Sequence, residues 1–295
     1  MIWILLSIAA AAFQTLRFMI QKSLSMTTLS PGGATLARFL FSAPFVAALL
    51  VAYLAIRGAG FPSVGERFWI YGVTGGIAQI LATWCVVALF AQRSFAVGIT
   101  FKKTEVMQTA LVGFILLGDT VSSMGIAAIF LGLVGVLYLS NPTRKQGLFL
   151  NRAVALGIVS GALFAVSAVA YRGATLEVQS GDALLRALLA LAVVTWFQTV
   201  GLSAWLVWRA PGELGNVLRS YRSSVWMGLT GMAGSICWFT AFTLQNAAYV
   251  FAVGQVEVIF SIMASVMFFS ERMSHREMTG IALVTSSILL LVVVT

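Results

Sequence analysis

The stretch "GIAAIFLGLVGVLYLS", residues 125–140, runs for sixteen residues without a single charge. Outer-membrane strands would read as segments of about ten residues alternating in hydrophobicity. A membrane-crossing helix instead needs about 20 predominantly apolar residues. This run does not alternate, so it reads as a transmembrane helix. The same character extends outward through the chain. Of 295 residues, 60% are hydrophobic and 9% charged, against about 25% charged in soluble domains. Because the deficit spans the whole length, an all-α integral membrane protein is expected rather than a soluble domain on one anchor.

Apolar windows predict ten transmembrane helices, at about 2–20, 33–56, 68–91, 96–117, 124–140, 153–173, 184–208, 225–245, 249–269 and 277–294. The opening "MIWILLSIAAAAF" lacks a basic leader, and its run continues to Ile20, so it is expected to be a retained first span. "SNPTRKQGLFLNR", 140–152, brings Pro, Gly and charge together and divides the spans five and five, giving halves 1–143 and 144–295. The net charge of +9 comes from basic residues scattered mostly at span ends. There they set topology and meet anionic headgroups, so the bilayer and not nucleic acid is the expected partner. Cys85 and Cys237 lie in apolar runs and His275 is the single histidine. No disulfide framework, metal site or cofactor is expected from them. There is no phosphate-binding loop and no visible nucleophile–base pair, which argues against an ATP-driven pump and against an enzyme.

The halves repeat. "FAVG" occurs at 95–98 and 251–254, and "GVTG" at 72–75 faces "GLTG" at 228–231. Downstream, "TEVMQTALVGFILLGD" (104–119) pairs with "VEVIFSIMASVMFFSE" (256–271), matching Glu105 to Glu257 and Asp119 to Glu271. The second offset is four residues shorter than the first. The fourth span therefore carries about one extra helical turn, and that turn contains Lys102 and Lys103. Five spans per half is an odd number, so the halves must enter the membrane in opposite orientations, as two inverted five-helix repeats. Such repeats usually belong to transporters whose site lies between the halves at the midplane.

Ten spans as five plus five, spans ending in an acid ("FILLGD", "VMFFSER") and a following "GIALV"-type helix resemble the drug/metabolite transporter superfamily, and within it the EamA-type exporters. The resemblance covers nearly the whole chain, most specifically 95–139 and 251–291. It implies export of small solutes across the cell (inner) membrane, by a monomer or homodimer. The proline of many relatives' fourth and ninth spans is absent. The resemblance implies cytoplasmic termini, whereas basic residues cluster after odd-numbered spans, which by the positive-inside rule places the termini outside.

"GITFKKTEVMQT", 98–109, sets three charges inside a span. Lys102 and Glu105 are i,i+3 neighbours able to pair, while Lys103 points about 100° away. Glu105 lies roughly 14 Å into the span, near the centre of an approximately 30 Å core. Glu257 has a similar depth. Charges there cost at least about 2.5–3.5 kcal/mol each unless they face a cavity or one another, so a shared central cluster is expected. Glu105 and Glu257 are the candidates for proton coupling. Its bland counterpart is a structural ion-pair network locking the fourth and ninth spans. Gln14, Arg17, Gln79, Lys102, Lys103, Trp238 and Ser261 are the candidate substrate-binding residues. Arg17 has no acid in its own helix, and a guanidinium fork suits carboxylate or phosphate. Arg38 is expected at the interface; should it face the cavity instead, the centre becomes net positive. Thr83, Trp84, Ser235 and Thr243 are weaker lining candidates. The expected cargo is a small polar or amphipathic metabolite, such as an amino acid or related organic anion. Multidrug efflux of lipophilic cations is the alternative.

Overall fold

The computed structural model describes residues 1–90, 102–139, 152–260 and 275–294. Among them the chain is helical throughout, with one isolated antiparallel bridge between Val64 and Val178. The helices are α1 (Ile2–Thr27), α2 (Pro31–Arg57), α3 (Arg67–Phe90), α4 (Glu105–Leu117), α5 (Ser123–Leu139), α6 (Arg152–Leu176), α7 (Ala183–Arg209), α8 (Glu213–Arg219), α9 (Tyr221–Leu244), α10 (Ala247–Gly254) and α11 (His275–Val294). Six of them, α1, α2, α3, α6, α7 and α9, are long and apolar enough to cross a membrane. At the other four expected span positions lie shorter apolar helices of 10–17 residues.

Local chemistry sets the helix ends. Ser30 caps α2 by accepting from the Gly33 amide at 3.0 Å, with Pro31 in the first turn, where a missing N–H costs nothing. Asp182 caps α7 through the amides of Leu184 and Leu185. Its carboxyl is held below the usual carboxylate range, chiefly by the Tyr53 hydroxyl at 2.6 Å and then by those two amides and Arg57, with burial opposing. Gly118 ends α4 at φ +68°, a conformation that strains any residue with a Cβ, and the Asp119 amide returns to the Gly113 carbonyl.

The packing runs across the midpoint of the chain. α1 lies on α9, α3 on α6, α2 on α7 and α5 on α11, and each of these contacts joins a helix before residue 140 to one after 151. α4 packs on α6, and α10 on α4 and α1. The outward faces carry Ile2, Leu5, Phe114, Ile115, Trp226 and Val293, all strongly exposed. On a soluble protein that surface would be a liability, whereas against lipid tails it costs nothing. At one end of the bundle the connection before α3 is tied to the one before α7. Gly65 N–H donates to Glu177 O at 2.8 Å, Gln179 N–H to Ser63 O at 2.9 Å, and Arg57 approaches Asp182 at 3.5 Å.

Candidate solute site at two interrupted helices

Without any proline, the helical path breaks twice. Lys102 is helical, Lys103 and Thr104 form a turn, and α4 begins at Glu105. α10 ends at Gly254, Gln255 is a turn residue, and residues 256–260 are helical again. The second break is tightened by two i→i+3 bonds, Gln255 N–H to Ala252 O at 3.2 Å and Val258 N–H to Gln255 O at 3.0 Å. Thr104 and Gln255 both keep right-handed helical dihedrals, so each interruption is a local tightening of the helix rather than an unwound segment. Each break puts its glutamate in the first turn of the helix that follows, where the positive end of the dipole favours a carboxylate.

The four charges form two pairs, one local and one between the breaks. Lys102 Nζ meets Glu105 Oε2 at 2.9 Å within its own segment and stands 4.8 Å from the Phe164 ring centroid. Lys103 Nζ reaches Glu257 Oε2 at 2.8 Å, joining the two breaks. Gln14 of α1 donates an N–H hydrogen bond from its side-chain amide to the same oxygen at 3.1 Å. Lys102, Lys103 and Glu105 are buried, and the Glu257 side chain is 15% exposed. Burying such pairs roughly breaks even, but stranding one partner costs about 3–5 kcal/mol.

Two small cavities adjoin the cluster. One, of about 20 Å³, is lined by Lys102, Glu105 and Glu257 with Gln14 and Trp238. The other, of about 30 Å³, is lined by Arg17, Arg38, Gln79, Tyr171 and Ser235, again with Gln14 and Trp238. Phe164 and Phe251 also line both. Each has room for a water or two, so the site is occluded in this conformation. A larger, open cavity of about 580 Å³ lies between the end of α1 and the start of α9 beside Arg219 and Arg222, away from the four charges.

Arg38 does not occupy the interface expected of it. It is buried, and donates to Thr83 Oγ1 at 3.5 Å and Ser235 Oγ at 3.3 Å. An arginine seven residues into α2 is long enough to snorkel, but the hydroxyls of α3 and α9 hold it inward. Arg17, also buried, donates to Gln21 Oε1 at 3.0 Å and lies 4.1 Å from the Phe18 ring centroid. Gln79 accepts from the Tyr171 hydroxyl and from Gln198 Nε2, both at 2.9 Å, while Gln198 also donates to Gly76 O at 3.1 Å. Trp238 lines both cavities with its Nε1 buried and unpartnered. Trp84 is elsewhere, edge-on to Trp205 at 5.0 Å, and the Thr243 hydroxyl is spent on Phe239 O. Ser261 and the first copy of the "FAVG" repeat lie outside the described residues, as does Glu271.

The sequence reading gives no role to Tyr171 or Gln198, although a glutamine in the middle of an apolar span was a usable signal. It also misses Arg172. That guanidinium clasps Asp119 at 2.8 Å and, through Nη1, the carbonyls of Phe242 and Gln245 at 2.7 and 2.9 Å. It thereby fastens the end of α4 to the end of α9.

Comparison with known proteins agrees with this arrangement. A solved crystal structure of a protein superposes with a TM-score of 0.71, covering 99% of this chain and 98% of its own. At 13% identity this likeness speaks for the fold alone. No curated protein sequence matches the chain. Residues 151–293 match the model of the EamA-like transporter family. The second half of this multi-pass membrane protein is thus an EamA-like transporter domain, of the drug/metabolite transporter superfamily.

Proposed function

We propose that the chain is a secondary active transporter that exports small polar or amphipathic metabolites, amino acids or related organic anions, across the cell (inner) membrane. The observation that carries this reading is the meeting of two interrupted helices at buried, paired charges beside a cavity. Ionisable residues that face one another inside a membrane-spanning bundle mark solute and coupling paths, and inverted-repeat carriers place their sites between the halves. Ten spans in two inverted halves, 1–143 and 144–295, are supported by the pairing pattern. If the halves are exchanged, α1 on α9 maps onto α6 on α3, and α4 on α6 maps onto α10 on α1. Rocking of one half against the other would expose the cavity to each side in turn.

In this mechanism Gln14, Arg17, Gln79, Lys102, Lys103, Trp238 and Ser261 contact the solute, and Glu105 and Glu257 couple transport to protons. Protonating Glu257 removes the partner of Lys103 and releases that ammonium toward the solute. The monomer or homodimer carries its own complete site and needs no cofactor. The test is proton-linked flux in proteoliposomes. Glu257→Gln and Glu105→Gln should flatten its dependence on the pH gradient while the protein still purifies folded. An unchanged pH dependence in both variants would remove the coupling role. Multidrug efflux of lipophilic cations fits less well, because both glutamates at the cavities already hold lysines and Arg17 and Arg38 add positive charge.

A further inference from the structure

Arg17 and Arg38 approach the larger of the two central cavities from different helices, and their stems meet on one glycine of α9. A Cβ at Gly231 would sit 3.2 Å from Arg17 Cδ and 3.3 Å from Arg38 Cγ, so any other residue there would press on both stems. Among the described residues the hydrogen-bond partners of the two guanidiniums are neutral: Gln21, Thr83 and Ser235. Among the described residues neither arginine forms an ion pair. The carboxylates nearest at hand, Glu105 and Glu257, line the neighbouring cavity and are each engaged by a lysine. Guanidinium does not lose its proton in a protein. Two fixed positive charges therefore share a buried volume that no carboxylate lines, and that volume also receives the unpartnered Trp238 N–H.

Glu257 in the neighbouring cavity is the carboxylate whose charge acts on Arg17, and it is shared with Lys103. Burying two guanidiniums is costly, so an anion entering between them would be held strongly. The remaining wall shows what the anion is attached to. Trp238 stacks on Phe242 at 5.7 Å and 16°, and Phe251 meets both edge-on at 5.3 and 5.4 Å. Beside two guanidiniums an ammonium is repelled, by more than the attraction of an aromatic face offsets. Gln79 Oε1 already accepts two bonds, and Glu257 Oε2 is shared by Lys103 and Gln14.

We propose that this cavity, once rocking of the two halves enlarges it, binds the carboxylate of an organic anion with a flat, aromatic body and no amino group, an arylalkyl carboxylate rather than an amino acid. The carboxylate lies between Arg17, Arg38 and the Trp238 N–H, and the ring lies against Trp238, Phe242 and Phe251. This narrows the cargo of the transporter proposed above and rests on that reading.

The test uses the purified full-length chain in detergent and three probes: 3-phenylpropionate, phenylalanine and inorganic phosphate. Thermal-shift titration should show 3-phenylpropionate binding about tenfold or more tighter than phenylalanine, which differs from it only by the ammonium. Phosphate, lacking a ring, should bind more weakly still. Arg17→Gln and Arg38→Gln should each weaken 3-phenylpropionate binding on the order of tenfold to a hundredfold. The wild-type probe series does not depend on either variant folding. Equal binding of phenylalanine and 3-phenylpropionate overturns the exclusion of an amino group, and equal binding of phosphate overturns the aromatic body. If none of the three binds while vesicles carry another solute, this proposal fails and the transporter reading stands. If vesicles carry no solute at all, both fail.

Discussion

The two helix breaks share a plan but differ in their self-sufficiency. The first, at Lys103–Thr104, brings its own cation, and Lys102 neutralises Glu105 three residues away. The second, at Gln255, has an acid and no cation. Glu257 is bound by Lys103 from the first break and by Gln14 from α1. One break is closed within its own segment, whereas the other is completed by the opposite half of the chain. The lesson is that the four extra residues near the first break supply the charge balance for both. The equivalent glutamates are therefore not interchangeable, and charge removal at each should show it.

The largest effect is expected at the borrowed partner. Glu257→Ala strands Lys103 across the interface between the breaks and should cost about 3–5 kcal/mol, read as a lowered melting temperature in detergent. Adding Lys103→Met should recover most of that loss, since an apolar replacement of both partners is close to neutral. A double variant as unstable as the single one would break the comparison. Glu105→Ala should cost less, about 2–3 kcal/mol, because Lys102 keeps the face of Phe164. Equal losses for the two glutamates would show that the breaks are energetically alike after all.

A smaller effect sharpens the contrast from outside the core. Asp182 also faces an arginine, but at the bundle end, where its side chain is about a third exposed. Asp182→Ala should cost only about 1 kcal/mol, the usual worth of a helix cap. Its carboxyl is held low chiefly by the Tyr53 hydroxyl. Its stabilisation is therefore complete above the ordinary aspartate value of about 3.9 and is lost as pH falls through the depressed folded value. Melting of wild type and Asp182→Ala between about pH 3 and pH 6 should converge at the acid end. A gap that persists there would mean the cap survives protonation.

Much of the centre was legible in the sequence, because a charge in an apolar run must find a partner or a cavity. Lys102 and Glu105 were readable from i,i+3 spacing, and Glu257 from the repeat. Gln14 and Arg17 were readable as a polar stripe on α1. The breaks were not legible. A turn at Lys103–Thr104 needs neither proline nor glycine, and what stabilises it is tertiary pairing with Glu257. Arg38 was misplaced because reach alone does not tell snorkelling from an inward turn. The hydroxyls that decide the matter, Thr83 and Ser235, sit 45 and 197 residues away. Arg172 was missed for the same reason, since its acid and its two carbonyls come from two other helices.

The packing of early helices on late ones also has a consequence for how the chain is made. α1, α2, α3 and α5 each find their main neighbour among helices that follow residue 151. At roughly 5–20 residues per second, synthesis of the remainder takes about ten to thirty seconds. During that interval the first five expected spans are in place without their partners. Arg17 and Arg38 are then committed to the bilayer before Gly231, Ser235 and Trp238 exist to receive them. Assembly must wait for the last helices, and a ribosome stalled midway would leave two arginines without the wall built to hold them.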